Sequence, residues 1–360
     1  MAFIAATRSC LFQNNVRSIR PITFLSKRKS PAAITKSEIQ DSDDLKLSYI
    51  QKKDINMAPE SFYLRYRKRS GLFVSDVTGA EWCQRKMAFI LQSGERKIST
   101  KAMKVGVHHH KRKEKEVMKI EKVSVESDED KWAVKFLNFI TGVNQLLYEG
   151  LTRELPVFGL VHGVWLTGSV DEIRMPEAEG ENRNPILVDT KTRASNTLPS
   201  EPQKRNGRLQ VMLYKLLWDY LVAQRFQAKE FFDSYELDPN SVLSSDVRRI
   251  TAAAGFPAQN LEDMIRYMLN TCSVLVPASN QMILRYEFQK DYSLIDEVEF
   301  PYEADWVKTQ MEKCLDFWLY GKKASFAPED ERWKCFNCPY SSVCPATANV
   351  KISLKKKHAD

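Results

Sequence analysis

Three cysteines fall within ten positions near the C-terminal end of the chain, in the stretch WKCFNCPYSSVCPA from Trp333 to Ala346: Cys335, Cys338 and Cys344. No other feature restricts the fold as much. Three thiolates are one short of a closed tetrahedral site. If this stretch holds a metal, a fourth ligand must arrive from elsewhere, and the C-terminal edge is then tied to another part of the chain. The other cysteines suggest no disulfide framework. The total of seven is odd. Cys272 and Cys314 read as core thiols, the latter on a helical apolar stripe with Val307, Met311, Leu315 and Trp318.

Composition bounds the possible partners. With 43% hydrophobic and 28% charged residues the 360-residue chain is of soluble globular type, and no apolar run approaches the ~18 residues of a membrane span. Residues 1–37 hold seven Lys/Arg and no Asp or Glu, so only +1 of the net +8 belongs to residues 38–360. A polyanion must therefore be met by local basic patches rather than by overall charge. The acid-free opening, rich in Arg, Ser and Ala and lacking a continuous apolar centre, reads as an organellar transit peptide. It points to a plastid stroma ahead of a mitochondrial matrix, and both are reducing. Residues 38–58 read as a polar linker, 59–347 as the folded domain and 348–360 as a basic tail.

Within the domain a helix is expected from Ser75, capped by Ser75 or Asp76, with Trp82, Met87, Ile90 and Leu91 on its apolar face and Cys83 inside it. The basic stretch 100–120 reads as a second helix, ESDED as an acidic loop, and 131–147 as a third helix. The period then changes. LTRELPVFGLVHGVWLTGSVDEIRM reads as a pair of strands, and NPILVDTKTR as another. RLQVMLYKLLWDYLVAQ is a helix with a wide apolar face. Met282 to Phe288 alternate as a half-buried strand, and a last helix spans 305–320, ending at Gly321. This order gives an α/β fold with a mixed central sheet flanked by helices.

One constellation carries chemistry. Asp189 and Lys191 are two apart on a strand and so face the same way. Asp171 lies eighteen residues upstream of Asp189, a spacing that suits a hairpin bringing the two carboxylates together. Paired carboxylates hold Mg²⁺ through hard oxygen ligands, and a neighbouring lysine can orient a water or help deprotonate it. Gln210 and Tyr214 are four apart on one face of the next helix, within reach of Lys191 or a phosphate. His110, one turn before Glu114, offers a third metal ligand. By itself the run His108–His110 also reads as a solvated basic stretch. Arg193, Lys204, Arg205 and Arg208 are candidates for phosphate contacts, or else a solvated loop.

Taken together, EWCQRK, RELPVFG, GSVDEI, VDTKTR, LPSEPQKRNGRLQVMLYK and CFNCPYSSVCP resemble, in this order, the exonuclease V family of single-strand-specific DNA exonucleases, within the PD-(D/E)XK nuclease superfamily. The resemblance spans most of residues 70–347. It implies a PD-(D/E)XK core closed by an iron–sulfur staple joining the N- and C-terminal parts. Cys83 would complete a [4Fe–4S] site with Cys335, Cys338 and Cys344. Asp171, Asp189 and His110 would ligate Mg²⁺, Lys191 would be the catalytic lysine, and Gln210 and Tyr214 would support it. The stretch VGVHHHKRKEKE departs from the family pattern, with His where small or apolar residues are usual, and Asp189 stands where many relatives carry Glu. The implied activity is in-line hydrolysis of single-stranded DNA from a free end in organellar DNA metabolism or repair. The implied partners are that strand and a single-strand-binding protein, with the chain itself a monomer. Two other readings remain: a Cas4-like or Dna2-like nuclease with endonuclease activity, and a zinc-stapled nucleic-acid-binding module without catalysis.

Overall fold

A computed structural model describes residues 2–7, 61–94, 100–176, 183–321 and 323–347, the first of these by backbone alone. The 38–58 linker, the 348–360 tail and the targeting segment beyond Thr7 lie outside the described residues. The backbone of β1 (Ala2–Thr7) pairs antiparallel with β3 (Met118–Val123).

The centre is a six-stranded mixed sheet. It is nucleated by a hairpin of β4 (Leu151–Val161) and β5 (Val164–Arg174), closed by His162 and Gly163. Both turn residues hold positive φ, 49° and 73°, as two-residue hairpin turns require. β6 (Ile186–Arg193) adds antiparallel to β5 with Glu172 opposite Val188. β7 (Gln281–Phe288) adds parallel to β6, and β8 (Leu294–Pro301) antiparallel to β7. The short β2 (Leu72–Phe73) pairs parallel to β5 at Leu166 and Thr167. The sequence expectation of a mixed α/β sheet holds, although β8 was not foreseen.

The helices cover the sheet. α1 (Phe62–Tyr66) precedes α2 (Val74–Ser93), which contacts α5 (Glu201–Val222) and α9 (Ala304–Leu319). α5 crosses β4 to β7, burying Leu209, Met212, Leu213, Leu217 and Trp218. α4 (Asp128–Glu149) packs on β4 through Phe136, Leu137, Phe139 and Ile140. Its start corrects the reading of ESDED as a loop. Ser127 caps the helix by accepting from the Asp130 amide at 3.1 Å, and Asp128, Glu129 and Asp130 fill the first turn, where acidic side chains meet the positive end of the helix dipole. Three helices unread in the sequence, α6 (Ala228–Tyr235), α7 (Ser245–Ala253) and α8 (Leu261–Cys272), separate α5 from β7. The basic helix α3 spans Lys101–Val117 and stops short of the expected 120, because Met118 to Val123 form β3. Among the described residues no helix is long and apolar enough to cross a membrane.

Candidate active site

Strand register assembles the acids. Continuing the β5–β6 ladder one step from the Glu172–Val188 pair sets Asp171 opposite Asp189, and the Thr190 amide donates to Asp171 Oδ2 at 3.0 Å. The β4–β5 ladder runs without a shift from Arg153–Glu172 to Leu155–Val170, so Glu154 faces Asp171 from the other side. Glu154 was not foreseen as a site residue. Its backbone has φ of 52°, an unusual conformation for a glutamate that costs of order 1–3 kcal/mol and gathers at functional sites. Counting back from the His162–Gly163 turn would have placed it.

α3 closes the group. His110 Nδ1 lies 3.5 Å from Glu154 Oε1 and 3.6 Å from Asp171 Oδ2. Among the described residues, His110, Glu154 and Asp171 form the group of ligand atoms that lie within 4.8 Å of one another. Beside them Asp189 is fully buried; Lys191 Nζ pairs with its Oδ2 at 2.8 Å, and Oδ1 has no hydrogen-bond partner. A buried carboxylate oxygen left without a partner in this way fits a divalent cation taking oxygen ligands. His110, Glu154, Asp171 and Lys191 line a cleft of about 680 Å³ with Met103, Val107, Glu114, Thr192, Gln210 and Gln289.

The electrostatics agree with a site built for a cation. Burial and the Asp189 charge push the Asp171 carboxyl up to about 8, against His110 and Lys191. Burial pulls the His110 imidazole down, but the Glu154 hydrogen bond and the charges of Asp171, Glu154 and Asp189 outweigh it and hold it up at about 9. Burial also raises Glu114, with Glu154 adding to it. Lys191 is pulled down by burial and raised further by Asp189 and Asp171, so it stays an ammonium. In the metal-free site this favours Lys191 as a charge that orients and stabilises.

α5 fixes the lysine. Lys191 donates to Gln210 Oε1 at 2.8 Å, and Gln210 donates to Tyr214 Oη at 2.8 Å. The Tyr214 ring lies against Gly168, where an added Cβ would come within 2.6 Å of it. The four foreseen phosphate contacts divide. Arg205 is committed elsewhere: it donates to Glu81 at 2.8 Å and to both Glu331 oxygens at 2.7 and 3.0 Å. Arg208 pairs with Glu201, and Arg193 donates to the Thr197 carbonyl at 2.9 Å. Lys204 is half-buried on the first turns of α5. The run His108–His110 also divides, because His109 is buried against Glu287 and only His108 is solvated.

The cysteines converge from both ends of the domain. α2 is interrupted at Cys83, whose backbone is extended (φ −172°, ψ 109°). The Lys86 amide donates to its sulfur at 3.4 Å. The Cys335 thiol is raised by burial and further by Cys83, Cys338 and Cys344, and all four are free, but no three of these sulfurs lie within 4.8 Å of one another. Arg205 bridges Glu81, beside Cys83, to Glu331 in the 3₁₀ turn Glu329–Cys335. It holds the Glu331 carboxyl down at about 2. Thiols are the donor type of an iron–sulfur cluster or of zinc, but among the described residues these four do not form a closed site.

Comparison with known proteins follows the same outline. The family model described as "Exonuclease V - a 5' deoxyribonuclease" matches residues 61–185 and 175–255. The Exonuclease V of Danio rerio is 27% identical over 337 residues, covering 92% of this chain and 84% of that protein. The crystal structure of SSO0001 superposes with a TM-score of 0.40 at 14% identity, over 79% of this chain and 91% of that one. The family match spans more than half of the chain and includes Cys83, His110, Glu154 and Asp171, and the chain therefore belongs to the exonuclease V family of DNA exonucleases.

Proposed function

We propose that the chain hydrolyses single-stranded DNA from a free end with Mg²⁺, on a PD-(D/E)XK core stapled by a [4Fe–4S] cluster. The observation that carries this is the grouping of His110, Glu154 and Asp171 within 4.8 Å of one another, with Asp189 on the adjacent strand paired to Lys191. His110, Glu154, Asp171 and Asp189 would hold the cation. When bound, Mg²⁺ polarises a phosphoryl oxygen and stabilises charge developing in in-line attack. Lys191, kept protonated by two carboxylates, faces that charge, and Gln210 and Tyr214 keep its ammonium from swinging away. Arg193, Lys204 and Arg208 would meet the phosphates of the strand. The character of the family as 5′ deoxyribonucleases supports attack from the 5′ end.

Cys83, Cys335, Cys338 and Cys344 would hold the cluster. Their link closes a loop of about 250 residues and so restricts the unfolded chain. The acid-free opening supports an organellar address, preferably plastid, which a fluorescent fusion to residues 1–37 tests by where it accumulates.

The deciding assay incubates anaerobically prepared protein and its Lys191→Ala variant with linear and circular single-stranded DNA, with Mg²⁺ or EDTA. Loss of the linear strand alone, with Mg²⁺ alone and absent in the variant, is the expected result. Digestion of circles would move the activity to an endonuclease. No cleavage by folded, metal-loaded protein would refute the proposal. Iron and sulfide content with visible absorption, against zinc content, decides the metal at the thiols.

A further inference from the structure

One of the helices that build the cleft lacks an apolar anchor. Within residues 101–116 of α3, His109 alone is buried. Met103 and Val107 are 50% and 56% exposed. Yet this helix has to hold the His110 imidazole against Glu154 and Asp171.

What holds it is a polar seat on β7 and the turn after it. His109 Nε2 hydrogen-bonds Glu287, and Lys113, one turn further along, donates to Glu287 at 3.0 Å and to Thr190 Oγ1 at 3.4 Å. The Arg112 guanidinium lies 3.2 Å from His109 Nδ1. A guanidinium only donates, so Nδ1 accepts and the ring's single proton points from Nε2 to Glu287. Both ring nitrogens are thus fixed. The ring plane is fixed too: Tyr292 stacks on it at 4.3 Å and 5°, and Arg112 lies 4.1 Å from the Tyr292 ring centre. Tyr292 stands in the β7–β8 turn with φ of 62°, a strained conformation for tyrosine. It does not line the cleft. Its strain has a use if the ring's task is to press on His109.

We propose that His109, Glu287 and Tyr292 are positioning residues that set the seating and rotation of α3 and thereby the place of His110 in the metal site. This rests on the reading of His110 as a ligand. Consecutive residues on a helix move as one body, so displacing the His109 ring displaces His110.

The test measures Mn²⁺ binding by loss of the free-ion EPR signal, in the full chain and its Glu287→Gln, His109→Phe and Tyr292→Gly variants, with His110→Ala as the benchmark. Melting temperature and the Mg²⁺ dependence of DNA cleavage are followed in parallel. Glu287→Gln and Tyr292→Gly are expected to weaken Mn²⁺ binding roughly 10-fold, the scale on which groups that orient metal ligands act. Half-saturating Mg²⁺ should rise in step, with kcat at saturating metal close to the parent's. Tyr292→Gly relieves a strained backbone, so its melting temperature should match or exceed the parent's while its metal affinity falls. A merely structural seat does the reverse, lowering melting and leaving the folded protein's Mn²⁺ affinity unchanged, and that result overturns the proposal. If Glu287→Gln does not fold, Tyr292→Gly decides, because it leaves the buried ion pair intact. A parent that binds no Mn²⁺ and ignores divalent ions in cleavage refutes the ligand reading and this proposal together. Parent binding with unaltered variants refutes this proposal alone.

Discussion

The helices on either side of the cleft are held in opposite ways. α5, which orients Lys191 through Gln210, is sunk in the core by Leu209, Met212, Leu213, Leu217 and Trp218. α3, which brings His110, lies on the sheet through hydrogen bonds: His109 and Lys113 to Glu287, Gln289 to the Ala102 carbonyl at 2.9 Å, and Arg153 to the Lys113 carbonyl at 2.8 Å. Apolar burial is non-directional and tolerates small changes, whereas hydrogen bonds specify angle and lose value once water competes. The lysine side should therefore fail by unfolding, and the metal side by detuning.

Four tests, the first a pair of substitutions, bear on this contrast, in descending order of effect. Leu213→Ala, at a fully buried position of α5, should cost about 2–5 kcal/mol in denaturant unfolding, whereas Val107→Ala on α3 should stay within ~0.5 kcal/mol. Equal losses would erase the distinction. Lys191→Ala should lower cleavage on the order of 10²–10³-fold at nearly constant melting temperature, as single-turnover rates would show. Glu154→Gln, which weakens one ligand, should raise half-saturating Mg²⁺ about 10-fold and leave Lys191 chemistry alone at high metal. Tyr214→Phe removes one hydrogen bond to Gln210 and should slow cleavage only about 5-fold.

The metal-free protein should also respond to pH. Asp171 keeps its proton up to about 8 against an ordinary 3.8, and His110 up to about 9 against 6.5. Over that whole window the folded state binds more protons than the unfolded chain, so stability falls as pH rises. Melting in EDTA should drop from pH 6 to pH 9, and Mg²⁺, which takes the place of those protons, should raise it most at the upper end. A melting temperature that climbs with pH in EDTA would contradict the electrostatics of the site.

Parts of this were legible in the sequence because they depend on short-range periodicity. Asp189 and Lys191 share a strand face, Gln210 and Tyr214 a helix face, and Asp171 meets Asp189 across adjacent strands, all as expected. What escaped depends on partners far along the chain. Arg205 looked like a phosphate contact because nothing near it in sequence shows Glu81 and Glu331, each more than a hundred positions away. His109 looked solvated because its partner Glu287 is 178 residues distant. Glu154 was hidden by a backbone conformation that its residue type does not favour.

The two-residue turn at His162–Gly163 has a consequence for how this lineage can vary. Hairpin tips ordinarily accept insertions and deletions because they touch little else. Here the tip sets the count that puts Glu154 across from Asp171, eight residues away on β4 and thus about 26 Å along the strand. A one-residue insertion there that slipped the register would turn Glu154 to the opposite face of the sheet, although the insertion itself lies far from the cleft. Length at this remote tip should thus be inherited as strictly as the identity of the acids themselves.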